Sequence, residues 1–201
     1  MSTINTTNLK NPSSGSNNIV LGADGSTTIT TLTGTTITGT SVRGSITSGT
    51  AVASTSGTSI DFTGIPSWVK RVTVMFNGVS TSGTSIYRIQ LGTSGGIQST
   101  SYTGCYTYTG PGSSGAALTT GFGIFNDGST NFKSGSLMFN FVSANIWTCQ
   151  GVCAQTGGAP GYTMQTAGTV SLSGTLDRVR ITTVNGTDTF DAGSINILYE
   201  G

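Results

Sequence analysis

Between residues 32 and 50 the chain reads LTGTTITGTSVRGSITSGT, with glycine at Gly34, Gly39, Gly44 and Gly49, one in every five positions. Side chains return to the same face after about 3.6 residues in a helix and 2 in a strand, so a five-residue period suits neither. Leu32, Ile37 and Val42 each precede a glycine by two places, and Ile46 and Val52 continue the apolar series less regularly. One apolar side chain per pentad is too little for a core within a single chain. Three chains wound about a common axis could turn these side chains inward, bend at the glycines and present Thr and Ser to water. The alternative is a flexible Gly/Ser/Thr linker. The strict spacing favours an ordered oligomeric stalk over residues 26–54.

Residues 1–25, MSTINTTNLKNPSSGSNNIVLGADG, are rich in Asn, Ser, Thr and Gly. These types favour turns and local side-chain-to-backbone bonds over regular elements. Such an arm buries too little apolar area to offset its ordering entropy, so a partner must order it. Ile4, Leu9, Ile19, Val20 and Leu21 are its natural anchors.

Beyond residue 55 the pattern changes to strands. In VKRVTVMF, Val72, Val74 and Phe76 alternate with Arg71, Thr73 and Met75, as a half-buried strand requires. The same alternation aligns Leu137, Phe139 and Phe141, then Val179 and Ile181, then Ile195, Ile197 and Tyr199. FNGVSTSG, LGTSGG, NDGS and VNGTD supply the Asn-Gly, Gly-Gly and Asp-Gly pairs that antiparallel hairpins prefer. No stretch keeps a helical period over three turns, and 31 glycines would each weaken a helix by about 1 kcal/mol relative to alanine. The expected architecture is all-β, with an antiparallel, jelly-roll-like sandwich over 55–201.

The composition limits the chemistry. Only 7% of residues are charged and the formal net charge is +1, which gives no electrostatic footprint for nucleic acid or an acidic membrane surface. No run reaches the roughly 18–20 apolar residues of a membrane span, and the N-terminus lacks the pattern of a secretion signal, so membrane insertion is not expected and synthesis in a cytoplasm is. The chain has no histidine, the usual general base near neutral pH, and its serines therefore lack an activating partner. Asp188 and Asp191 in NGTDTFDAG are the candidate carboxylate pair, but they lie in a turn-forming stretch, and Glu200, the only glutamate, is next to last. Catalysis is not expected. Three cysteines, Cys105, Cys149 and Cys153, without histidine do not make a zinc set, so neither metal nor cofactor is expected. Tyr102, Tyr106 and Tyr108 could present rings to sugars, yet their even spacing also places them on one face of a core strand. Trp68, after Pro66 and Ser67, reads as a plug at the sandwich end.

Two stretches carry a family likeness. IDFTGIPSWVKRVTVMFNGVSTSGTSIYRIQLGTSGGI from Ile60 and the ending GTLDRVRITTVNGTDTFDAGSINILYEG resemble a β-rich domain of tailed-bacteriophage structural proteins, especially tail fibres and related virion appendages. NLKNPSSGSNNIVLGADGS is similar to the opening of such proteins, where it precedes Gly/Thr-rich repeats. The resemblance implies a homotrimer assembled in the bacterial cytoplasm and carried on the virion. It implies neighbouring virion proteins as partners, whether of the tail, the capsid or the region near the portal, and host surface polysaccharide as a candidate ligand. It brings no catalytic residues. Fully extended, the pentad segment reaches only about 100 Å, so a short fibre or spike competes with a capsid decoration or cement protein, and with a free carbohydrate-binding module.

Overall fold

The structure, a computed structural model, describes residues 8–9, 13, 19–21, 27–29, 46–110, 112–157 and 161–201. The chain divides into two units, residues 1–43 and 44–201. In the first, β1 (Asn8–Leu9), β2 (Ile19–Leu21) and β3 (Thr27–Ile29) pair in that order as an antiparallel sheet. Leu9, Ile19, Val20 and Leu21 therefore lie on hydrogen-bonded backbone, whereas Ile4, Leu32, Ile37 and Val42 fall outside the described residues.

The second unit contains β4 (Ile46–Ser48), β5 (Val52–Ala53), β6 (Ser59–Thr63), β7 (Arg71–Thr81), β8 (Tyr87–Thr93), β9 (Gly96–Ile97) and β10 (Tyr102–Thr109). It continues with β11 (Ser114–Ala117), β12 (Phe122–Ile124), β13 (Phe132–Ser143), β14 (Ile146–Thr156), β15 (Thr163–Ser171), β16 (Arg178–Thr183) and β17 (Phe190–Glu200). Nine strands form one antiparallel sheet in the order β11-β10-β15-β14-β13-β7-β17-β4, with β5 also on β17. Five form the other, β12-β8-β16-β6 with β9 on β8. The described residues contain no helix. The unit is all-β and sandwich-like.

Alternation explains the core. Val72, Val74 and Phe76 are buried, and Leu137, Phe139, Ile195 and Ile197 are buried beside them on adjacent strands. From the small sheet, Phe122, Ile89, Ile181 and Ile60 form one cross-strand row, also buried. Phe122 bridges the layers, with its ring 5.1 Å from Tyr102 and 5.6 Å from Phe139, centroid to centroid. Cys149 and Cys153 occupy the inner face of β14 as small apolar groups.

Ile46 and Val52, expected in the stalk, lie instead on β4 and β5, hydrogen-bonded to β17. Ser54 follows them into the sandwich, where its N–H bonds Gly193 O at 2.9 Å and its hydroxyl bonds Ala192 O at 2.7 Å. Pairing with β17 satisfies backbone groups that an isolated arm would leave to water.

Asn77-Gly78, expected to make a hairpin turn, lies inside β7. Gly78 has φ +62 and faces Gly193, φ +87, where the β7–β17 register shifts. The β13–β14 hairpin instead turns through Ala144 and Asn145, with φ +45 and +64 and Ser143 opposite Ile146. Alanine is costly in the left-handed region, and asparagine tolerates it better. Ala144→Asn is expected to raise unfolding stability by about 0.5–1 kcal/mol, read from urea denaturation; a loss of stability would show that the turn has another shape.

Lys133 is fully buried at the start of β13. Its ammonium donates to Asn126 Oδ1 at 2.9 Å, Gln155 Oε1 at 3.0 Å and Asn131 O at 3.2 Å. Asn126 in turn donates to Gly83 O at 3.0 Å. One cation thereby ties the Asn126–Asn131 loop to β14 and to the β7–β8 connection.

Candidate interaction surface

Because side chains alternate across a strand, burying one face of the nine-stranded sheet turns the other outward. Register aligns that outer face into rows. One runs Thr107, Gln165, Val152, Ser136, Met75 and Asn196, from β10 across β15, β14, β13 and β7 to β17. The next runs Cys105, Ala167, Gln150, Met138, Thr73 and Leu198. Neither contains an ionisable group other than the Cys105 thiol. A third row carries Thr103, Thr169, Thr148 and Asn140 and ends in the Arg71–Glu200 ion pair. Glu200 holds the Arg71 guanidinium above its ordinary range, and Arg71 holds the Glu200 carboxyl below its own.

The two central rows enclose a concavity of about 600 Å³, with Met138, Gln150, Val152 and Gln165 on its walls. Val152 is 52% exposed, unusual for a valine in the middle of a sheet. The outer face of the small sheet differs. It carries Arg88, Arg178 and Arg180, with Asp61 clasping Arg180 through two bonds of 2.7 and 2.8 Å.

The tyrosines named from the sequence share one face of β10, as their even spacing requires, and that face is the inner one. Tyr102 is buried, and its hydroxyl receives the Leu91 N–H at 2.9 Å and donates to Gln98 O at 3.1 Å. Tyr106 is also buried, against Gly123. Burial raises both phenols above their ordinary range. Neither ring offers a free face. Tyr108 is half-buried and stacks on Phe125 at 3.7 Å, with Tyr162 edge-on to both at 5.4 and 5.6 Å. The sequence placed Tyr108 but not Phe125 or Tyr162, which come from distant segments. Trp68 is 41% exposed and tilts against Tyr199, 6.0 Å between centroids.

Asp188 is held between its own turn and the β7–β8 connection. Asn185 Nδ2 donates to its Oδ1 at 2.7 Å and the Ser85 N–H to its Oδ2 at 3.0 Å. Asp191 accepts the Ser80 hydroxyl. No metal-binding group of three or more His, Cys, Asp or Glu side chains occurs among the described residues.

No protein-family model matches the chain, and neither does any curated protein or solved structure.

Proposed function

We propose that this chain is a structural component of a tailed-bacteriophage virion, present as a homotrimeric short fibre or spike. In this reading the arm docks on the particle, the pentads wrap three chains into a stalk, and the jelly-roll-like sandwich faces outward. Host surface polysaccharide is its candidate ligand, with the half-buried rings of Tyr108, Phe125 and Tyr162 as a platform. The protein is assembled in the bacterial cytoplasm and performs no chemistry.

One observation carries the structural reading over a catalytic one. All six side-chain carboxylates among the described residues are engaged locally: Asp61 by Arg180, Asp127 by Asn131, Asp177 by Arg178, Asp188 by Asn185, Asp191 by Ser80 and Glu200 by Arg71. A glycosidase needs two carboxyl groups aimed across a cleft at one bond. Carboxylates spent on ion pairs, hydroxyls and turns serve a rigid scaffold. A surface with few charges also responds little to salt, which suits a part exposed to changing media.

Cryo-electron microscopy of the virion that encodes the protein tests the reading. Three-fold density on the tail or a vertex, with two stacked sheets at its outer end, is expected. Density spread over the capsid lattice, together with fragile heads and normal adsorption in deletion phage, would assign the protein to capsid cement instead. Particles lacking the protein altogether would overturn both.

A further inference from the structure

We propose that the outer face of the nine-stranded sheet, centred on Met138, Gln150 and Val152, is where a second copy of this chain docks; the inference rests on the multi-copy reading above and names the surface that serves it.

Three observations converge. The first is charge. In a trimer the same face of each copy can turn toward the three-fold axis, where like residues approach one another, so a charged face repels itself there and an uncharged one does not. The two central rows carry no charged side chain, and the Arg71–Glu200 pair at the end of the third is internally neutral. The outer face of the small sheet instead carries ionised groups, the Arg178–Asp177 and Arg180–Asp61 pairs together with Arg88.

The second is exposed apolar area. Val152 is 52% exposed beside the partly exposed Met138 and Met75. Methionine and valine ringed by amides and hydroxyls reproduce the apolar centre and polar rim of an interface. Methionine also adapts its shape to what it meets.

The third is size. Six strands at about 4.8 Å spacing, crossed by three rows, cover roughly 600 Å² in plan. A pleated surface exposes more than its plan, which brings it near the roughly 800 Å² that each partner contributes to a standard interface. A sugar is a poorer fit for the concavity, whose walls hold no aromatic ring for it to stack on.

Cys105 lies in the second row, exposed, and reports on occupancy. The test uses the full chain, as wild type, Val152→Arg, Gln150→Arg and, as control in the β16–β17 turn, Thr187→Arg. Sedimentation velocity over a concentration series gives the mass, and reaction with a thiol reagent gives the accessibility of Cys105. The expected result is that each sheet-face substitution weakens self-association at least tenfold with an unchanged far-ultraviolet circular dichroism spectrum, while Thr187→Arg does not. Cys105 should react slowly in the assembled wild type and quickly in both sheet-face variants. Association unchanged in both variants would overturn the docking face and leave the multi-copy reading standing. A wild type that is monomeric throughout would overturn both, and a monomer with a protected Cys105 would show that the chain's own N-terminal arm covers the face.

Discussion

Replacing Gly193 by alanine is expected to cost the sandwich about 3 kcal/mol or more of unfolding stability. Gly193 has φ +87, and a Cβ there would stand 2.3 Å from the Gly78 carbonyl oxygen and 2.5 Å from its carbon. Both obstacles are backbone, so no side-chain rotation relieves them. The site lies where β7 and β17 shift register, one strand in from the edge of the nine-stranded sheet that β4 and β5 close, and Gly78 is itself left-handed. To accommodate a methyl group, one strand must slide or the bulge must open, breaking ladder bonds on both sides. Gly64→Ala isolates the conformational part of the cost, since Gly64 has φ +75 and a Cβ there would meet nothing within 4 Å. That change should cost only about 1 kcal/mol. Urea denaturation of the two variants measures the difference. Equal losses would mean that the β7–β17 bulge yields easily and that the close approach at Gly78 is not a constraint.

Lys133→Met is expected to lower stability by about 2–4 kcal/mol. The substitution removes a buried charge, which alone would help, because methionine has nearly the same length and needs no hydration. Against that, Asn126 Oδ1, Asn131 O and Gln155 Oε1 lose their shared donor in a place water does not reach. Each buried acceptor left without it costs about 1 kcal/mol or more. The Asn126–Asn131 loop should loosen first, visible as faster amide exchange there.

The pH dependence follows from the same site and from the two buried thiols. Burial pushes the Lys133 ammonium down to about 8, against the opposing pull of Asp127 and Cys153. Between that value and about 10.4, the unfolded chain keeps a proton that the native one has shed, so this group adds stability as pH rises. Burial raises the Cys149 thiol and pushes that of Cys153 up to about 12. Above about 8.5 the unfolded chain loses those two protons while the native one keeps them, so the thiols remove stability as pH rises. Two groups outweigh one. Burial raises the Tyr87 and Tyr102 phenols too, and from about pH 9 they act with the thiols. From about pH 9 to 10 the wild type should therefore lose stability, and Lys133→Met, lacking the opposing ammonium, should lose it more steeply. Parallel curves for the two proteins would mean that Lys133 does not shed its proton on this side of its ordinary value.

Much of the sandwich is legible in the sequence because period-2 alternation is a direct imprint of burial on one side. Val72, Val74 and Phe76 announce an inner face, and they are buried. Turns are less legible. Asn-Gly at 77–78 carries the chemistry of a hairpin turn, but a bulge demands the same left-handed glycine, and only the partner strand distinguishes the two. The Ala144–Asn145 turn escapes a sequence reading because alanine gives no signal for a conformation that the paired strands impose. Lys133 cannot be read as buried at all, since its acceptors come from Asn126, Asn131 and Gln155, which only the tertiary fold assembles.

The outer face is half legible. Alternation sets Thr73 and Met75 opposite the core, but joining them to Met138, Gln150 and Val152 requires the register of three strands. Likewise the spacing of Tyr102, Tyr106 and Tyr108 gives their common face without saying which side of the sheet it is. The assignment of Ile46 and Val52 to the stalk follows the pentad rhythm past its end, where pairing with β17 takes over.

Sedimentation equilibrium of the full chain at micromolar concentration tests the multi-copy claim most directly. A single species at three times 20.3 kDa, in moderate and in high salt alike, is the expected result. A particle of 20.3 kDa at every concentration would contradict it.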